Sequence, residues 1–215
     1  LTDDRAMATA SWNTHLLLQE TKATAMTIEQ IAARFREQHR IIDHAPFTPN
    51  KISINGKPEP YASQGGVAMI HPPELTVRMP SDQNDISYAI LHSTKRWMER
   101  YVYLNEGRDI LVVANLYGVP GAGTNNPRAK ATNEFILNHA IQRFIKSKFP
   151  YLIICDLNTD PDDSEVIGEA LREDFLVDIA KRFHSNPTPT FRQGGPYEGM
   201  TGKGTTRIDA ALANH

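Results

Sequence analysis

Cysteine is nearly absent from this chain. Cys155 is the only one, so no internal disulfide can form, and a reducing intracellular compartment is compatible with the sequence. No apolar run approaches the roughly 20 residues of a helical membrane span. An excess of charge of one sign is also missing: 23 Lys and Arg face 25 Asp and Glu, for a net charge of -2 and a pI near 6.5. Contact with a polyanion therefore has to come from a local patch rather than a basic field. Lys95, Arg96, Arg100, Lys203 and Arg207 are candidates for such a patch, although surface solvation is the simpler account of each. No Gly-Lys-Ser/Thr follows the glycine-containing stretch Gly118 to Asn126, which excludes a nucleotide-binding P-loop there and leaves a flexible loop. There are no repeats and no low-complexity tail. The opening Leu1-Thr2-Asp3-Asp4-Arg5 is neither a signal peptide nor an initiator methionine, which points to a processed, trimmed or partial chain. With 215 residues, 40% of them apolar, one domain spanning 1–215 with a real core is expected.

What is present is a series of apolar runs that end in polar residues. Tyr151 to Cys155 leads into Asp156, Leu157 and Asn158, and then a turn before Pro161. The pattern reads as a buried strand, and strand alternation would put Asp156 and Asn158 on one face. A carboxylate beside a carboxamide suits the orientation of a water and donation to a charged oxygen. The structural alternative is an Asx turn, with Asn158 and Asp160 bonding the backbone. Ala8 to Asn13 reads as a first short strand, and Thr14 to Thr21 as a second that carries Glu20. Glu20 is either a solvated strand end or a ligand for a hard cation, and Mg²⁺ is often held by only one or two carboxylates.

Further along, Thr27 as N-cap with Gln30 as its capping-box partner opens a helix, with Ile28, Ile31, Ala32, Phe35 and Ile42 on its apolar stripe. His39 and His44 flank its end and are expected to be solvated. Residues 46 to 64 hold four prolines and Asn55-Gly56, so a loop or hairpin follows. Strands are expected at Gly65–Ile70, at Trp97–Leu104 by alternation, and at Asp109–Tyr117, with the last two forming a hairpin and the third buried on both faces. Tyr117 is either a core tyrosine or a phosphate-contacting hydroxyl. Pro127 opens a helix with Phe135, Ile136, Ala140, Ile141, Phe144 and Ile145 on its apolar face. Asp162-Asp163-Ser164 opens another, to about Leu171. Residues 184–204 are loop-rich, and Thr206 to Leu212 is a final strand carrying Asp209.

Four phrases, each at an expected strand end, together resemble the endonuclease/exonuclease/phosphatase superfamily: Leu18-Gln19-Glu20-Thr21-Lys22, Asn115-Leu116-Tyr117, Asp156-Leu157-Asn158 and Arg207-Ile208-Asp209. Gly65-Gly66-Val67-Ala68 matches the strand usual between the first two. The resemblance covers roughly residues 10 to 212 and is greatest to the exonuclease III and apurinic-endonuclease branch. It implies an α+β fold, a two-layer β-sandwich flanked by helices (α/β/β/α). It also implies nuclease-like hydrolysis of phosphodiesters or phosphomonoesters with Mg²⁺ or Mn²⁺, on nucleic acid or another phosphoester. Lipid and nucleotide phosphatase activities stay open, because a fold does not fix a substrate. By motif, Glu20 would hold the metal and Asp156 would orient or activate the attacking water. Asn158 and Tyr117 would contact the scissile phosphate. Asn13 would help to position Asp156 or the phosphate, and Asp209 corresponds to the acid that orients the family's closing histidine, with nothing to orient here.

Three departures accompany the resemblance. The family's Ser-Asp-His segment does not follow Asp209, and His215 sits in no such motif. Only six residues separate Asn13 from Glu20, where a crossover needs roughly 10–12. His15 stands where an amide or acid is usual. They keep a second expectation open: a catalytically impaired pseudoenzyme, serving as a structural or interaction subunit whose exposed sheet edge is covered by protein partners.

Overall fold

The computed structural model describes residues 16–21, 25–45, 53–54, 57–58, 65–123, 126–184, 189–192 and 205–214. The expected Ala8–Asn13 strand, and with it Asn13, lies outside the described residues, as do His15, Lys203 and His215.

In chain order the first elements are β1 (Leu16–Leu18), α1 (Ala25–Glu37), β2 (Ile41–Ala45), β3 (Ser53–Ile54), β4 (Lys57–Pro58), β5 (Val67–His71) and β6 (Thr76–Arg78). Then come α2 (Ile86–Ser93), β7 (Trp97–Leu104), β8 (Asp109–Tyr117), α3 (Pro127–Lys146), β9 (Tyr151–Asp156) and α4 (Glu165–Arg172). The last are β10 (Val177–Asp178), α5 (Ile179–Phe183), β11 (Phe191–Arg192), β12 (Thr205–Thr206) and β13 (Asp209–Ala213). A small antiparallel sheet has the order β1-β5-β2, and a larger one the order β10-β13-β9-β8-β7-β6. The β3–β4 and β11–β12 pairs are separate two-stranded ribbons.

Period-two alternation sorts the small sheet's side chains into two cores. Leu16, Leu18, Ile42 and Ile70 face Ile31 and Phe35 of α1. Leu17, Ala45, Val67 and Met69 face Val77, Met98, Val113 and Tyr117 of the large sheet. On its other side, the large sheet packs Trp97, Val112, Ala114, Leu116, Tyr151, Ile153 and Cys155 against Leu91 of α2, the buried face of α3, and Ile167 and Ala170 of α4. The layers are therefore helix, sheet, sheet, helix, as the resemblance implied. Among the described residues no helix is long and apolar enough to cross a membrane.

Several local expectations are corrected. Helix α1 begins at Ala25, so Thr27 lies inside its first turn and does not cap it. Ile42 is on β2, not on α1, and still reaches the same apolar cluster. His44 is half-buried rather than solvated, and its Nδ1 is enclosed without a hydrogen-bond partner. Phe135 and Ile145 point outward from α3, whose buried face runs through Ala129, Asn133, Ile136, Leu137, Ala140, Ile141, Arg143 and Phe144. The Thr206–Leu212 stretch is split, because Thr205–Thr206 pairs with Phe191–Arg192 and the strand of the large sheet starts at Asp209.

One feature of α3 has no apolar signature. Arg143 is buried and donates through Nη2 to Glu99 Oε1 at 2.7 Å, through Nε to Glu99 Oε2 at 3.1 Å, and through Nη1 to Asp82 Oδ2 at 2.6 Å. This ties α3 to β7 and to the segment before α2. Glu99 is 1% exposed. Replacing Arg143 by Ala leaves that carboxylate buried without its counter-charge, so Arg143→Ala is expected to lose about 3–5 kcal/mol in urea unfolding.

Candidate active site

Strands β8 and β9 are the parallel pair of the large sheet, joined by the α3 crossover, so their C-terminal ends share one edge. Their register puts Tyr117 opposite Asp156. Strand β13 runs antiparallel to β9 and puts Asp209 opposite Asp156 on the other side. Tyr117, Asp156 and Asp209 thus form a row across three neighbouring strands. Gly66, entering β5, links the small sheet to this edge: its N–H donates to Lys95 O (2.9 Å) and its carbonyl accepts from Thr21 N (3.0 Å), while Tyr117 N donates to Arg96 O (2.8 Å) within the large sheet. Glu20 follows β1 with a left-handed φ of 50° and is exposed.

The chain leaves the edge by a turn. Asn158 is not on the strand, and alternation does not bring it beside Asp156. Its φ is 53°, in the left-handed region that Asn tolerates. Its backbone N–H donates to Asp156 Oδ1 at 2.9 Å, an Asx turn. Asp160 makes a second, accepting from Asp162 N at 3.0 Å. The expected Asx chemistry is present, with Asp156 in the role anticipated for Asn158. The Asn158 carboxamide donates to Gly118 O at 3.4 Å, so the turn still delivers both groups to one place.

The described part of the glycine-containing loop, 118–123, is pinned rather than loose. Gly118 N donates to Asp156 O at 2.6 Å and Gly123 N to Asn158 O at 2.8 Å. A Cβ on Gly118 would sit 2.3 Å from Leu157 O, and one on Gly123 would sit 2.9 Å from Asn158 O. Asn133 of α3, fully buried, accepts from Val119 N at 2.8 Å and donates to Leu157 O at 3.1 Å.

Charge is concentrated here. Burial, with the Asp209 and Glu20 charges adding to it against the Asn158 N–H and Arg96, pushes the Asp156 carboxyl up to about 6. Burial, then Glu20 and Asp156, push the Tyr117 phenol well above its ordinary value, with Arg96 opposing. Arg96 lies 4.8 Å over the Tyr117 ring and donates through Nη1 to Gly118 O at 2.7 Å. Of the basic residues offered as a patch, Arg96 is one that reaches this edge. Arg100 bonds Asp43 at 2.8 Å. Arg207 is buried against Asp178, the residue that caps α5. Asp209 stands beside Asp156, with its N–H and that of Ile208 donating to Thr190 Oγ1 at 3.0 Å each.

Gly118, Gly123 and Asn133 carry no mark of a site in the sequence, and Arg96 stands there only as one candidate of a basic patch. The only signal was Lys95-Arg96 at the start of an alternating strand, and hairpin register alone places that start beside the end of the next strand. Among the described residues, no three His, Cys, Asp or Glu side chains converge to cage an ion by themselves. The donors at this edge are nonetheless all oxygen, and their crowded negative charge fits a hard cation held by one or two carboxylates, water and a phosphate.

No family model matches the chain, and no curated protein matches it. Solved structures do. The AP endonuclease LMAP from Leishmania major is 13% identical, with a TM-score of 0.64 over 98% of this chain and 72% of that one. The Xenopus laevis APE2 catalytic domain is 15% identical, with a TM-score of 0.62 over 99% and 76%. The 3′ phosphatase NExo from Neisseria, bound to product DNA hairpin, is 16% identical, with a TM-score of 0.58 over 98% and 79%. At these identities the likeness is one of fold.

Two outcomes are expected. Gly118→Ala drives a Cβ into the Leu157 carbonyl and costs about 3 kcal/mol in urea unfolding, the upper end of the usual range for overpacking. For Asp156, a folded pKa above the ordinary 3.8 means that the protonated form stabilises the fold below that value, and that this stability is lost as pH rises through about 6. Metal-free protein should therefore lose stability across this window. Asp209→Asn should shrink the loss and lower the Asp156 midpoint in a carboxyl NMR titration.

Proposed function

From the endonuclease/exonuclease/phosphatase-like fold that the chain shares with these proteins, we propose that it is a divalent-metal phosphoester hydrolase, nuclease-like, acting on nucleic acid. The observation that carries this reading is the in-register row Tyr117, Asp156 and Asp209, with the Glu20 charge bearing on both Tyr117 and Asp156.

Asp156 is the base. A carboxyl near 6 is ionised at neutral pH, yet basic enough to take a proton from water as the water attacks phosphorus. Asp209 maintains that basicity by its neighbouring charge. Tyr117, its phenol pushed up and so protonated, hydrogen-bonds Glu20 in the bare protein and would turn its one O–H to a phosphoryl oxygen once Glu20 holds the metal. Asn158 has a second amide proton besides the one directed at Gly118 O, and donates it likewise. Arg96 holds the Tyr117 ring and the Gly118 carbonyl in place. Asn13 keeps the positioning role that the resemblance implies. Glu20 would hold Mg²⁺ or Mn²⁺, which when bound offsets negative charge on the phosphoryl oxygens.

The test is incubation with Mg²⁺ and a panel of plasmid, abasic-site, single-stranded and 3′-phosphate hairpin DNA. Metal-dependent cleavage is expected, about 10²–10⁴-fold slower in Asp156→Ala and about 10²-fold slower in Tyr117→Phe. Cleavage no greater than that of Asp156→Ala on every substrate would turn the reading towards a pseudoenzyme subunit.

A further inference from the structure

The two sheets face each other across an apolar layer, yet two carboxamides cross it in opposite directions. Asn115, fully buried on β8, donates through Nδ2 to Leu18 O and to Ala68 O, both at 3.0 Å. These carbonyls belong to paired residues of β1 and β5 in the small sheet. Gln19, the residue after β1, donates through Nε2 to Leu116 O at 3.0 Å and to Ile154 O at 3.4 Å, on β8 and β9 of the large sheet. Each sheet thus sends one amide into the other's backbone.

The positions are specific. Gln19 immediately precedes Glu20. Its acceptors lie one residue before Tyr117 and two before Asp156, and Asn115 is two residues before Tyr117. Apolar side chains hold the sheets together nearby, among them Leu17, Met69, Met98 and Val113, so cohesion does not require amides there. A buried amide costs free energy unless its hydrogen bonds are made, and Asn115 Oδ1 is enclosed without a partner. That cost is borne where the small sheet delivers Glu20 to the edge of the large one.

We propose that Gln19 and Asn115 are positioning residues: a reciprocal amide latch that sets the separation of Glu20 from Tyr117 and Asp156, and through it the affinity for the divalent cation. The inference rests on Glu20 as the cation's ligand. Apolar replacement of Gln19 leaves the layer filled and leaves Glu20 to be held to the large sheet by its own hydrogen bond with Tyr117, without the backbone anchor one residue before it.

The experiment measures Mn²⁺ binding to the full 215-residue chain by calorimetry without DNA, beside the Mg²⁺ dependence of cleavage. Gln19→Met is the main variant and Asn115→Leu the second. Ile167→Val, in the helical layer away from the latch, is the control for stability alone, and Glu20→Gln the control for the ligand. Gln19→Met is expected to weaken Mn²⁺ binding about tenfold, in the range for residues that orient metal ligands. It should raise the Mg²⁺ requirement in parallel and leave KM for DNA within about twofold. Ile167→Val should lower the unfolding midpoint without moving Mn²⁺ affinity. Wild-type Mn²⁺ affinity in Gln19→Met, or an equal loss in Ile167→Val, overturns the latch. Mn²⁺ binding that is absent from the wild type, or unchanged in Glu20→Gln, overturns the Glu20 reading instead, and the latch with it.

Discussion

Backbone meets backbone at Gly118, and the arrangement of the site follows from that contact. The Gly118 amide donates to Asp156 O at 2.6 Å, while its carbonyl accepts from both Arg96 and Asn158. No side chain fits between Gly118 and Leu157. Because nothing separates the ends of β8 and β9, Tyr117 and Asp156 stay in register to their last residues. The turn that follows can then present the Asn158 amide to the same carbonyl. A larger residue would part the strand ends and, with them, the row of functional groups.

Buried charge serves as scaffolding in this fold. Arg143 with Glu99 and Asp82, Arg207 with Asp178, and Arg100 with Asp43 are each paired, because an isolated charge inside the protein is too costly. Arg207 holds the chain just before Asp209, and so helps to place an acid beside Asp156. Such arginines resemble phosphate contacts when read along the chain; in space they face inward, towards carboxylates. Arg96 is different. It lies on the Tyr117 ring at the edge where Glu20, Asp156 and Asp209 gather, and it works against the rise in the Asp156 and Tyr117 pKa values.

That excess of acid over base at one edge is unfavourable in the bare protein, because the like charges of Glu20, Asp156 and Asp209 oppose one another's ionisation. The elevated Asp156 carboxyl expresses the same crowding. The fold keeps these groups close through many weak constraints: strand register, three hydrogen bonds on the Gly118 backbone, and amides that cross between the sheets.

Much of this was legible along the chain. Alternation marked β7, continuous apolar runs marked β8 and β9, and Glu20, Tyr117, Asp156 and Asp209 stood out as polar residues at or near strand ends. These features are local: they depend on side-chain period and on what ends a run. The α/β/β/α layering was implied only by the family resemblance that the motifs carry together. Asn158 was placed beside Asp156 for the wrong local reason, because a left-handed turn, not strand alternation, brings it there. Helix α2, the inward pairing of Arg207, the role of Arg96 and the exchange of amides were decided only in three dimensions. Gln19 meets carbonyls 97 and 135 residues away. No pattern within a window of the sequence encodes such a partner, because it depends on how two sheets, each with its own register, come to rest on one another.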